Sequence, residues 1–216
     1  MKRIALALGT VAAVALMAGA VQAQDFTGKA KGQWMVNTRI TSVAPDESGR
    51  ILTAAGADAG LSVDVDADTK PTLGIAYFLT DNIAVDVTLG TTKHTIKAKG
   101  PGTDVKVHET MVLPPVVTLQ YHFNPKGQVS PYVGAGLNYM LFYSGKDKNG
   151  FKVDLDNGFG YALQGGVDVA LKGNWSLNAD VKKVWFETDA KINGGALKSK
   201  VKLDPVVASV GFGYKF

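Results

Sequence analysis

Apolar and polar residues alternate along most of this chain. Over its last residues, "VVASVGFGYKF", Phe216, Tyr214, Phe212, Val210, Ala208 and Val206 fall on one parity, with Lys215, Gly213, Gly211 and Ser209 on the other. A period of two marks a strand with one oily face and one polar face. In "AKGQWMVNTRI", Trp34, Val36 and Ile40 alternate with Gln33, Asn37 and Arg39. In "LSVDVDADTKPTLGIAYFL", Leu61, Val63, Val65, Leu73, Ile75 and Tyr77 share a parity opposite Asp64, Asp66, Asp68 and Lys70. The same alternation recurs over 83–90, 104–123, 133–141, 159–171 and 175–181. Eight strands are predicted.

The connections between them also alternate. Short turns fall at 80–82 ("TDN"), 124–130 ("NPKGQVS") and 172–174 ("KGN"), and longer loops rich in glycine and charge fall near 44–60, 91–102, 144–157 and 188–199. A soluble sandwich has no reason to gather all its long loops at one end. An even strand count, short turns on one side and long loops on the other describe an outer-membrane barrel. Tyr77, Tyr121, Phe123, Tyr132, Trp175, Tyr214 and Phe216 lie near the short-turn ends, and Tyr143, Phe151 and Trp185 toward the long loops. Two aromatic girdles are expected of such a barrel. The fold class is all-β, an eight-stranded antiparallel transmembrane β-barrel. Its last strand closes on its first, so neither keeps a free edge.

The front of the chain changes the picture of where it resides. "MKRIALALGTVAAVALMAGAVQAQ" carries Lys2 and Arg3, then an apolar run, then small residues ending at Ala23. This layout reads as a signal peptide over residues 1–23, followed by the barrel domain over 24–216. The chain is then exported to the outer membrane of a Gram-negative cell. Loss of Lys2 and Arg3 lowers the formal net charge of +4 by two, which removes half of the basic excess and argues against a nucleic-acid footprint. No cysteine is present, so neither a disulfide scaffold nor a thiolate metal site is available. After the leader, no run of about 18 apolar residues forms a membrane helix.

With the strands placed, the chain resembles the OmpW family of small outer-membrane proteins. The matching stretches are "YFLTDNIAVDV", "LPPVVTLQYHF", "PYVGAGLNY", "ALQGGVDVAL", "LNADVKKVWF" and "DPVVASVGFGYKF", in the family's order. The loop "PDESGRILTAAGADAG" carries no such match. The resemblance implies a narrow, partly hydrophobic channel, with passive passage of small hydrophobic molecules that leave sideways into the membrane. The terminal aromatics Phe216 and Tyr214 resemble the signal that the barrel-assembly machinery reads on its clients.

An eight-stranded barrel is about wide enough for its own side chains or one small ligand. Its inward parity mixes Asp64, Asp66, Asp68, Asp86, Asp104, Asp168 and Asp180 with Arg39, Lys70, Lys106, Lys172 and Lys182. Crowded into one lumen, such charges pair and help to seal it. The same parity also carries Phe78, Val112, Val116, Met140, Phe142, Val184 and Phe186. An oily interior suits a hydrophobic solute, and core filling or a phase slip is the plainer account of the same residues. Pro71, Pro114, Pro115 and Pro205 interrupt strand patterns, and proline removes a ladder donor. Counted from the periplasmic strand ends, these sites stand roughly 20–28 Å up, near the outer edge of the apolar band. Pro114 and Pro115 are the expected lateral exit, with a simple bulge as the competing account.

Catalytic chemistry is not expected. No G-x-S-x-G elbow occurs, and His94, His108 and His122 are too scattered for a metal pattern. "DVDADT" has the first spacing of a calcium loop but Thr69 where glycine is needed and Ile75 where glutamate is needed. No cofactor and no metal are implied. The expected partners are the outer-membrane bilayer, the assembly machinery and small hydrophobic solutes. A non-transporting surface receptor or structural barrel, acting through its extracellular loops, is the second reading.

Overall fold

The computed structural model describes residues 25–216, and the leader read over residues 1–23 lies outside the described residues. Eight staves build the wall, and seven of them are broken once along their length. The first is β1 (Trp34–Ala44) and β2 (Arg50–Thr53), and the second is β3 (Asp58–Val65) and β4 (Asp68–Phe78). The third is β5 (Ile83–Leu89) and β6 (Thr92–Gly100), and the fourth is β7 (Thr103–Leu113) and β8 (Val116–His122). The fifth, β9 (Val129–Asp147), is unbroken. The sixth is β10 (Val153–Leu155) and β11 (Gly158–Ala170), and the seventh is β12 (Trp175–Trp185) and β13 (Glu187–Ile192). The eighth is β14 (Leu197–Lys202) and β15 (Val206–Lys215).

The halves nearest the short turns form a closed ring, β1-β4-β5-β8-β9-β11-β12-β15 and back to β1. Met35 pairs with Lys215 and Ala44 with Val206, so the last strand closes on the first. The Phe216 N–H donates to the Trp34 carbonyl at 2.9 Å, which satisfies the chain's terminal amide. The outer halves form a turret above this ring, in the order β10-β13-β14-β2-β3-β6-β7-β9.

Alternation sets which residues face lipid. Val117, Leu119 and Tyr121 on β8, Phe159, Tyr161 and Leu163 on β11, and Val210 and Phe212 on β15 are all exposed. Such a belt of large apolar side chains is stable only where hydrocarbon covers it. Along the periplasmic rim, Trp34 stacks near Tyr77 at 4.7 Å, and Trp175, Tyr214 and Phe216 follow one another at 4.9 Å. Glycines let the strands approach. A Cβ at Gly136 would lie 1.9 Å from the Val117 carbonyl oxygen, and one at Gly211 2.0 Å from that of Thr38.

The turret departs from the sequence reading. Leu61, Val63 and Val65 carry the lipid-facing parity of β4, yet in β3 they turn inward: Leu61 and Val63 pack against the cluster of Ile51, Ala98, Val107, Val153 and Ile192, and Val65 is buried on the cavity wall. The chain breaks at Asp66–Ala67, between β3 and β4, and the parity inverts there. Bulges at Ile51/Leu52, Ile96/Lys97 and Glu109/Met111 shift the neighbouring strands in the same way. Phe151, expected in the outer girdle, packs into this crown instead.

Candidate functional site: a sealed floor beneath an apolar cavity

The lower lumen is a polar plug. Buried Lys29, Arg39, Lys182 and Lys215 sit among buried Asp86, Asp168 and Asp180. Arg39 Nε donates to Asn178 Oδ1 at 2.6 Å, and Asn178 Nδ2 donates to Asp168 Oδ1 at 2.7 Å. The Tyr132 hydroxyl donates to Asp180 Oδ2 at 2.9 Å, Gln164 Nε2 donates to the same oxygen, and Lys182 Nζ donates to Asp180 Oδ1. Thr118 and Gln120 extend the network through Gln164 Oε1. Asp64, Asp66 and Asp68, expected inside, pair outside the plug with Lys99, Lys97 and Lys70.

The floor is bolted from below by a segment that precedes the first strand. Lys29 Nζ donates to Asp168 Oδ2 at 2.7 Å and to Ser130 Oγ at 2.8 Å, and stands 2.7 Å from His122 Nδ1. All three ammonium protons are thereby used. The backbone holds this segment in place. Lys29 N–H donates to the Pro125 carbonyl, Thr27 N–H to that of Gly173, and Lys215 Nζ to that of Thr27. Phe78 belongs to this level. It is fully buried with Met35, Ala76 and Ala84, and its ring lies 5.1 Å from that of His122.

Above the plug the lining turns apolar. A cavity of about 100 Å³ is bounded by Val112, Val116, Met140, Phe142 and Val184. A volume of about 15 Å³ already admits one water, so this space takes a group of several heavy atoms. Phe186 does not border the cavity directly but packs in the same cluster, with its ring 6.1 Å from that of Phe142. The structure thus brings six of the seven inward apolar residues to one level and leaves Phe78 at the floor. The sequence reading did not include Ile51, Val63, Val65, Val107, Val153 and Ile192, which also line the cavity. The parity inversion in the turret hid Val63, Val65 and Val107, and Ile51, Val153 and Ile192 fall in stretches that read as loops.

Pro114 borders the cavity, together with Gly90 and Pro205. Thr88 pairs with Val116 and Thr92 with Val112, but the residues between them do not pair. Register is kept across this gap, so Gly90, without a side chain, faces Pro114, without an N–H. On the other side the ladder survives. Leu113 pairs with Leu141, Val116 with Asn138, and Tyr139 N–H donates to the Pro115 carbonyl at 3.1 Å. Proline lacks a donor but keeps its carbonyl, so only the seam toward Gly90 lapses. Among the described residues, no three His, Cys, Asp or Glu side chains are grouped to hold a metal ion.

Comparison with known proteins agrees with this architecture. The OmpW family matches residues 30–216. The outer-membrane protein y4mB of Sinorhizobium fredii is 42% identical over 85% of this chain and 80% of its own. The dibenzothiophene metabolism operon protein PahQ of Pseudomonas aeruginosa is 29% identical over 85% of this chain and 88% of its own. The crystal structure of the outer-membrane protein OprG from Pseudomonas aeruginosa superposes with a TM-score of 0.83 at 29% identity, covering 89% of this chain and 99% of that one. Closed barrel, lipid-facing belt and family match agree, and the chain belongs to the OmpW family of outer-membrane β-barrels.

Proposed function

We propose that this barrel passively admits small hydrophobic molecules through the outer membrane. A solute occupies the apolar cavity and leaves sideways between Gly90 and Pro114 into the outer leaflet. The observation that carries this reading is the stacking of an oily cavity directly on a sealed polar floor. Continuing downward would separate buried ion pairs, at several kcal/mol per ion. Moving sideways exchanges one apolar surrounding for another at almost no cost. Each CH₂ group gains about 0.8 kcal/mol on leaving water, in cavity or lipid alike, so no energy source is needed.

The name of PahQ associates that relative with dibenzothiophene metabolism, and a flat apolar molecule of that kind suits such a route. Phe216 and Tyr214, edge to face with ring centres 4.9 Å apart at the periplasmic rim, are proposed as the mark read during assembly.

A photoreactive alkyl diazirine tests the route. Irradiated with the folded protein in vesicles, it should label Val112, Met140, Phe142 and Val184 in competition with unlabelled solute. Replacing Pro114 and Pro115 by Val should restore the seam and slow uptake severalfold. Label confined to the lipid-facing belt, with uptake indifferent to the proline change, would remove both the pocket and the exit.

A further inference from the structure

The turret is an arc rather than a closed ring. β10 pairs with β13 alone, and β9 above Met140 pairs with β7 alone. Two strand edges therefore face each other with no ladder between them, although the sixth stave is paired to the fifth up to Gly158–Met140. Side chains close the gap instead. Asp147 Oδ1 accepts the Val153 N–H at 3.1 Å and His108 Nδ1 at 2.9 Å, and Asn157 Oδ1 accepts the Phe142 N–H at 2.8 Å. Phe142, Val153 and Leu155, on the two sides of this seam, all border the cavity. The crown above is filled by Leu61, Ala98, Ile192, Leu197 and Phe151 packed together.

We infer that the unladdered seam between β9 and β10 is the inlet through which a small hydrophobic molecule reaches the cavity, with Asp147 and Asn157 as its latch. This rests on the proposed uptake of such molecules and adds a second opening to it. Floor and crown are both packed, so the remaining ways in lie in the wall. The seam begins at the level of Met140, opposite Pro114 in register, and runs upward from there. It thus opens above the exit, toward the cell exterior. Parting it breaks two side-chain latches, whereas parting any other turret seam breaks a run of backbone bonds. An edge strand of three residues is also the shortest in the wall and the least costly to displace.

The native chain has no cysteine, so a clamp can be introduced cleanly. Lys146→Cys with Asp154→Cys places one thiol on each exposed edge of the seam. A reducible bis-methanethiosulfonate linker then ties them. Asp189→Cys with Lys200→Cys gives the same clamp across directly paired residues of β13 and β14. Uptake of a labelled alkane by cells is read before clamping, after it, and after reduction. The expected result is severalfold slower uptake with the first clamp, recovery on reduction, and no change with the second. Asp147→Ala with Asn157→Ala should raise the rate. Undiminished uptake through the clamped seam, or equal slowing by both clamps, would overturn the inlet and leave the cavity reading intact. An unclamped protein that gives no uptake above cells lacking it would overturn the transport reading itself, and the inlet with it.

Discussion

Lys29 and Asp168 stand 139 positions apart in the chain and meet at 2.7 Å inside the periplasmic end of the barrel. Their side chains are 3% and 5% exposed. Truncating one partner of such a pair leaves the other charge buried alone, at a cost of about 3–5 kcal/mol. Lys29→Ala should therefore lower the unfolding free energy in lipid vesicles by that amount. It should also raise ion conductance in planar bilayers, because the floor loses its bolt. Lys29→Met combined with Asp168→Leu should recover most of the stability. A loss below about 1 kcal/mol for the single variant would show that the pair is a solvated surface contact.

Strand approach at glycine gives a sharper contrast. Gly136→Ala drives a methyl group into the Val117 carbonyl and the Thr118 backbone, neither of which can move without breaking the ladder. Gly165→Ala meets nothing within 4 Å. The first should abolish the folded, heat-modifiable form on electrophoresis, and the second should leave it unchanged.

Filling the cavity should block transport without unfolding the barrel. Met140→Trp puts a larger ring into the space bounded by Val112 and Val184, with an overpacking cost of about 1–3 kcal/mol. Uptake should fall severalfold while the folded form persists. Leu163→Phe, on the lipid-facing belt, should leave uptake unaltered.

Docking of the segment before the first strand should depend on pH through Asp81. The Lys31 backbone N–H, then the Lys126 ammonium, hold this turn carboxylate below its ordinary range. A lowered folded value means that folding favours the ionised form. The stabilisation is therefore complete above the ordinary carboxylate value of about 3.9 and is lost as pH falls through the lowered one. Amide exchange at Lys31, corrected for intrinsic rates, should stay constant from about pH 7 to pH 5 and rise only below about pH 4. Asp81→Asn should remove the dependence.

Much of the barrel was legible in the alternation because a lipid-facing strand must be apolar at every second residue. The inward parity of Val112, Val116, Met140 and Val184 followed from the same rule, since β8, the end of β7 from Met111 to Leu113, the lower part of β9 and β12 run without a bulge up to that level. Val63, Val65 and Val107 were not legible as lining. A bulge inverts facing and asks for no particular residue, so the text keeps its parity while the strand does not. Lys29 reads as one more polar residue in "FTGKAKG", and its role depends on side chains from three distant strands, His122, Ser130 and Asp168. The β9–β10 seam was also hidden, because most of both its edges falls within 144–157, whose glycines and charges read as a loop.

Inward passage of small hydrophobic molecules through the barrel is read most simply as a rate. Uptake of a labelled small hydrophobic solute should be measured in cells with intact outer membranes, with and without the protein at matched levels of other barrels. Uptake should be faster with the protein and should fall severalfold toward the background rate in Met140→Trp. Equal rates across solutes of several sizes would contradict inward passage and leave the barrel as a mount for its extracellular loops.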